Sequence, residues 1–338
     1  MLLNIRPSTI LKIALIADEL TTSSLSNEPI SLYNITPYNY KLVFGFYKPD
    51  ILFVESAWQG KANAWKFKVA DYPEHPKRSN NALRKVVEYA KKRGIPTVFW
   101  NKEDGVHFNR FIDSAKYFDH IFTVDENCIP KYKERVTNDV SVNTLLFAVQ
   151  PKIHNFSALS SKQERVNFVG SYSTHIHDQR REMQHMMFEA TAKSNLGLTI
   201  YDRNSKRKSN NYRFPVFGDV LVNPAVKYAD TAQIYKNHLA SLNVNTIVDS
   251  PTMFSRRLIE IIACGGIAIT NPSPAVSRYF SEYCYQVKTE GELLEIFERL
   301  KSGFTKEDQD RALAGAEYIA NNHTWSHRLE QIISTVGL

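Results

Sequence analysis

The chain has 338 residues, 43% hydrophobic and 23% charged, with a net charge of +7. This composition excludes an intrinsically disordered chain, and the length suggests two domains. No apolar run approaches the roughly 20 residues needed to span a bilayer, which excludes a membrane-crossing helix. The three cysteines, Cys128, Cys264 and Cys284, are widely spaced with no CxxC pair, so neither a disulfide framework nor a zinc site is expected.

Residues Met1 to Leu11 do not read as a secretory signal. With the cysteine pattern, that gives a cytoplasmic expectation. Lys12–Asp18 is a short apolar run ending in a carboxylate, and Asp50–Glu55 repeats the pattern after the turn at Pro49. Both suit buried parallel strands. Asn81–Arg93 has apolar residues at helical spacing, basic residues at its end and Gly94 as a stop. Ile95–Trp100, Asp119–Val124 and Val140–Phe147 are the further strands of this half. The polar, aperiodic stretch Gln150–Lys162 reads as a linker.

A second series follows: strand Arg165–Gly170, helix Asp178–Lys193, strand Gly197–Tyr201, a short strand Ser241–Asn245, helix Phe254–Cys264 closed by Gly265 and Gly266, and strand Ile267–Thr270. Helical patterns at Glu290–Leu300, Asp308–Ala320 and Trp325–Val336 complete the chain. Strands alternating with helices imply two α/β halves with parallel sheets, whose ligands bind beyond the strands' carboxyl ends. Asp18, Glu55, Asn101–Asp104 and Asp125 sit at such ends.

The most informative stretch runs from Asn243 to Gly266: a strand, a polar loop, a helix and a double glycine. Ser250, Thr252 and Ser255 arrive near the helix N-terminus with Arg256 and Arg257. Free backbone N–H groups, the helix dipole and a guanidinium can form a pyrophosphate cradle. The alternative is a plain i, i+4 ion pair between Arg256 and Glu260. In the first half, Glu103, Asp104 and His107 follow a strand and could supply a general base, with Glu55 a second candidate. Alternatively, Asp104 or Asn101 caps the next helix and Lys102 pairs with Glu103. Trp58 and Trp65 are sugar platforms or packing residues. The basic run Arg203–Arg213 reads as a solvated loop, the alternative being a face for an anionic acceptor or nucleic acid, and His175 and His177 lack a third metal ligand.

The run SPTMFSRRLIEIIACGG (residues 250–266) resembles the donor-site helix of CgeB-like, spore-maturation-type glycosyltransferases of the double-Rossmann GT-B class. The likeness extends to FVGSY (168–172), IYDRN (200–204), YRFP (212–215), FVESAW (53–58), TVFWNKED (97–104), VHF (106–108) and QPKIH (150–154). The resemblance implies an α/β GT-B fold, two Rossmann-like domains with parallel sheets facing a central cleft. An acceptor domain is expected over 1–150, a donor domain over 151–320, and a terminal helix in 321–338 packing back on the first domain. It implies a glycosyltransferase that moves a sugar from a nucleoside-diphosphate sugar to an acceptor hydroxyl, in bacterial surface polysaccharide or glycoconjugate synthesis. Glu260 matches the glutamate that binds the donor ribose. Arg256 or Arg257, with Ser255, would hold the diphosphate. Gly170, Ser171 and Tyr172 would form the first donor-domain turn, and Tyr201, Asp202 and Arg203 would line the base or ribose pocket. Many relatives carry a second glutamate where this chain has Thr252. No cofactor and no essential metal are expected. Expected partners are the nucleotide sugar, a glycan or glycolipid acceptor and an anionic membrane face, and not nucleic acid. A nucleotide-sugar epimerase and a non-catalytic binding protein are the alternatives.

Overall fold

The computed structural model describes residues 10–160, 163–216 and 218–338. Most of the Met1–Leu11 segment and the end of the linker (161–162) lie outside them. The chain divides into two compact units, residues 1–146 with 325–338 and residues 147–324.

The first unit is built on six strands: β1 (Lys12–Ile16), β2 (Ser31–Asn34), β3 (Ile51–Glu55), β4 (Thr97–Asn101), β5 (His120–Thr123) and β6 (Ser141–Thr144). They form one parallel sheet in the order β2-β1-β3-β4-β5-β6. Every residue of β3 and β4 is buried, as expected of strands covered by helices on both faces. The helix Asn81–Lys91 turns Leu83, Val86, Val87 and Ala90 inward, and these join Val54, Phe99 and Trp65 in one core. The chain leaves β1 on one side for β2 and returns on the other as β3. The carboxyl ends of β1 and β3 therefore flank a topological switch point, where open α/β sheets bind ligands. The expected strand Val140–Phe147 is shortened to β6. The helix Trp325–Val336 belongs to this unit: Trp325 meets Trp100 edge-on at 5.4 Å, and Arg328 Nε donates to Leu146 O at 2.9 Å.

The second unit carries β7 (Gln163–Gly170), β8 (Gly197–Asp202), β9 (Val220–Pro224), β10 (His238–Asn243), β11 (Ala268–Thr270) and β12 (Tyr285–Gln286). The order is β12-β11-β10-β7-β8-β9, again parallel. Its switch point lies between β7 and β10. The expected strand Ser241–Asn245 begins earlier, at His238, because all six residues of β10 are buried. The helix after β10 spans Arg256–Ala263, with Ser255 at its N-cap position. Gly265 ends it at φ 73°, where an added Cβ would lie 2.7 Å from Ser157 O. The linker is in part packed: His154 is buried, and its Nε2 pairs with Thr231 Oγ1 at 2.8 Å.

Candidate functional site

At the switch point of the second unit, β7 ends in Gly170, Ser171 follows it, and three guanidinium groups converge there. Arg203 donates its backbone N–H to Gly170 O at 2.8 Å and its Nη2 to Ser171 Oγ at 3.4 Å. Arg180, from the helix Asp178–Lys193, donates Nη2 to Ser171 O at 3.0 Å. Arg257, in the first turn of the helix Arg256–Ala263, lies over the Phe168 ring at 4.5 Å. Gly170 permits this approach: a Cβ there would stand 2.6 Å from Phe168 Cε1 and 3.1 Å from Arg257 Nη2.

The cluster is cationic and incompletely bonded. Burial pushes Arg180 down to about 9, and the charges of Arg257 and Arg203 push the same way. Burial likewise takes Arg257 to about 10, with Tyr235 and Glu260 opposing and Arg203 reinforcing. Arg180 Nε and Arg257 Nη1 are buried and lack a hydrogen-bond partner. A buried N–H of a charged group without an acceptor is costly. An anion at Gly170–Ser171 would satisfy both and relieve the mutual repulsion.

The structure separates the two arginines between which the sequence leaves the choice open. Arg257 enters the cluster, whereas Arg256 stacks on Phe147 at 5.0 Å. Glu260 is buried, and Tyr235 donates to its Oε2 at 3.4 Å. Ser255 gives its N–H to Asn245 Oδ1 at 2.8 Å, and buried Thr252 gives its own to Ser250 Oγ at 3.3 Å. Tyr172 does not line a turn. Its ring stacks on His185, its hydroxyl meets Nε2 at 2.7 Å, and it joins the core beside Phe214. Tyr201 and Asp202 end β8 in register with Val169 and Gly170. Burial raises the Asp202 carboxyl, while the Asn204 N–H and nearby Arg213 oppose.

Sequence reasoning missed Arg180 and the buried amides Asn243, Asn245 and Asn271 at the ends of β10 and β11. Asn245 N donates to Asn271 Oδ1 at 2.7 Å, and Asn243 Nδ2 to Thr270 Oγ1 at 2.9 Å. Asn245 and Asn271, with Gln179, Arg180, Met183 and Lys288, help line a pocket of about 250 Å³. Clustered asparagines directly after a buried strand were the available signal.

At the switch point of the first unit, Lys102 reaches back to Glu55 Oε1 at 2.8 Å and Asp18 Oδ2 at 3.3 Å, and so does not need Glu103 as a partner. Asp18 also accepts the backbone N–H groups of Trp58, Gln59 and Gly60. Burial works against its ionisation, but Lys102 and these three N–H groups hold the carboxyl below its usual range. Glu55 is fully buried; its Oε1 also takes the Asp18 N–H at 2.8 Å, and its Oε2 has no partner.

Asp104 is also fully buried, accepting from Asn101 Nδ2 at 2.7 Å and Tyr132 Oη at 3.0 Å. Burial raises its carboxyl to about 7, against hydrogen bonds from Thr123 and Tyr132. It is a support inside the wall and presents no group to an acceptor. Neither Asp104 nor Asn101 caps the next helix, since His107 holds the N-cap position of Phe108–Ala115. The His107 ring lies edge-on to Trp58 at 5.1 Å, and burial lowers its pKa while Glu103 opposes. Glu103 and His107 are the partly exposed members of this group. Trp65 is buried, with Nε1 bonded to Ile35 O at 2.7 Å, and so is no sugar platform. Among the described residues no three His, Cys, Asp or Glu side chains are grouped to hold a metal ion, and no helix is long and apolar enough to cross a membrane.

The architecture is the double-Rossmann GT-B fold. Residues 200–334 match the family model described as glycosyl transferase-like. No curated protein sequence matches the chain. Among solved structures, the chain is similar to an α-glucosyltransferase in complex with UDP and a 13-mer DNA, at 11% identity and a TM-score of 0.64, covering 98% of this chain and 100% of that one. It is similar to HepE from Anabaena in complex with UDP (11% identity, TM-score 0.58, 96% and 91% covered). A glycosyltransferase from Rickettsia africae gives 13% identity and a TM-score of 0.58, with 96% and 89% covered.

Proposed function

We propose that this chain transfers a sugar from a nucleoside-diphosphate sugar to an acceptor hydroxyl, with the second unit holding the donor. The observation that carries this reading is the trio Arg180, Arg203 and Arg257 around Gly170–Ser171, two of them with buried N–H groups lacking acceptors. A diphosphate is the anion that a glycine-ended strand and converging guanidiniums suit. The family match over residues 200–334 and the fold support the same chemistry.

In the proposed reaction the bond between the anomeric carbon and the diphosphate oxygen breaks. The nucleoside diphosphate leaves with the electron pair, against the three guanidiniums. The acceptor oxygen forms the new bond and gives up its proton. His107, kept neutral near pH 7 by partial burial, is the proposed proton acceptor, oriented by Trp58 and with Glu103 beside it. Glu55 and Asp104 support this wall from within. Glu260 takes the ribose hydroxyls, as the CgeB-like resemblance implies, and Tyr201 and Asp202 stand one strand away. No essential metal is proposed, because the guanidiniums supply the positive charge; loss of turnover in EDTA would refute that part. The acceptor is a bacterial surface glycan or glycolipid handled on the cytoplasmic side, and nucleic acid is not among the proposed acceptors.

The test is a thermal-shift series with UDP, GDP, CDP and dTDP. One nucleotide at 100 times its dissociation constant should stabilise the chain by about 2.7 kcal/mol, and Arg257→Gln should lose that response. If no nucleotide shifts the wild type, the donor reading fails. If one shifts it but no sugar reaches any acceptor, the chain is a binding protein.

A further inference from the structure

The short helix Tyr40–Phe46 is apolar on both sides. Val43 and Phe44 are buried, and Tyr40 and Phe44 pack edge-on against Tyr89 at 5.2 and 5.9 Å. On the outside, Tyr38 is 90% exposed, Leu42 56%, Phe46 80% and Tyr47 45%. Tyr38, Leu42 and Phe46 are spaced four apart, and Leu42 and Phe46 share one helix face. A single exposed apolar side chain needs no explanation, but four within ten residues form a patch.

The rim of that patch is basic. Lys41 and Lys48 are exposed, and the segment 38–48 contains no acidic residue. The neighbouring helix Asn81–Lys91 ends at exposed Lys92 and Arg93, the latter stacked on Tyr89 at 3.6 Å. The acidic groups closest in sequence are engaged: Asp50 accepts the Lys12 N–H at 2.8 Å, and Glu88 pairs with Arg84.

We propose that this face of the first unit docks on an anionic lipid surface. Phe46 and Leu42 would enter the boundary between headgroups and acyl chains, where aromatic rings with a polar handle, such as Tyr38 and Tyr47, also settle. Lys41 and Lys48 would face lipid phosphates. A second copy of the chain complements the patch less well, because it would oppose the same lysines and a like net charge of +7. The proposal stands independently of the transferase reading.

The test is co-sedimentation of the full chain with vesicles of phosphatidylcholine alone or mixed with phosphatidylglycerol. Binding is expected to the mixed vesicles and to weaken with salt. Phe46→Ser and Leu42→Ser should each lower partitioning about tenfold, and Lys41→Gln and Lys48→Gln about fivefold each, all with the wild-type melting temperature because the side chains are exposed. Absence of binding to the mixed vesicles would overturn the proposal, as would equal binding to both vesicle types or undiminished binding of the variants. A dimer that Phe46→Ser dissociates would assign the patch to a second copy and overturn it as well.

Discussion

Replacing Arg180 by Met should make the free protein more stable and shrink its stabilisation by nucleotide. Arg180 is held from 12.5 down to about 9. At face value that shift corresponds to about 4–5 kcal/mol of unfavourable charge in the folded state. Water in the open crevice screens much of it, leaving roughly 1–2 kcal/mol. Methionine keeps the aliphatic stem packed and removes the Nε that lacks an acceptor. Ser171 O is not orphaned, because Gln184 Nε2 also donates to it at 3.1 Å. The free variant should therefore melt roughly 2–6 °C higher. The response to nucleotide should fall, because one charged hydrogen bond to a phosphate is worth about 1.5–3 kcal/mol. A nucleotide concentration that stabilises the wild type by about 2.7 kcal/mol should then stabilise the variant by only about 0.3–1.3 kcal/mol. Differential scanning fluorimetry with and without nucleotide reads both. A variant that melts lower than wild type yet keeps the full nucleotide shift would refute the anion-site argument.

Gly170→Ala should cost about 1–3 kcal/mol and weaken nucleotide binding, because the new Cβ meets the buried Phe168 ring at 2.6 Å and crowds Arg257; urea denaturation and titration calorimetry check the two effects. Lys102→Met leaves fully buried Glu55 without its cation and should cost about 3 kcal/mol, most of it regained in the double variant with Glu55→Gln. Asp104, raised to about 7, binds a proton in the folded state between about pH 4 and 7 that the unfolded chain has released. Its contribution is present at acid pH and lost as pH rises through 7, so Asp104→Asn should be relatively more stable at pH 8 than at pH 5, by about 1–3 kcal/mol in urea midpoints.

Central strands were readable because they are buried on both faces: the runs in β1, β3 and β4 are continuously apolar, and the period of two that would mark a half-exposed sheet is absent. The edge strands β2 and β9 were not readable, since no residue of either is fully buried and their pairing is imposed by β1 and β8. The two-residue β12 is shorter than any pattern. The helix after β10 and its double glycine were legible because strand, loop, helix and stop follow in one segment. Arg180 was not, because within the polar run Asp178–Arg181 nothing distinguishes it; its role comes from β7 and the helix after β10 closing around it. Lys102 shows the same limit. Sequence offers Glu103 next door, while the fold supplies Glu55 and Asp18, 47 and 84 residues away.

The two switch points differ in a way that bears on which unit takes an anion. In the first, Lys102 is met by two carboxylates, one of them further held by three backbone N–H groups. There the lysine charge is met by both carboxylates. In the second, the charges of Arg257 and Arg203 lower the proton affinity of Arg180, and Arg203 lowers that of Arg257 while Tyr235 and Glu260 oppose. A fold gains nothing in stability from such an arrangement. Keeping it is reasonable only if a ligand regularly supplies the missing negative charge. The two sheets are alike in strand number and in running parallel throughout, so the side chains at their carboxyl ends, and not the architecture, are what favour the proposed placing of an anionic donor on residues 147–324.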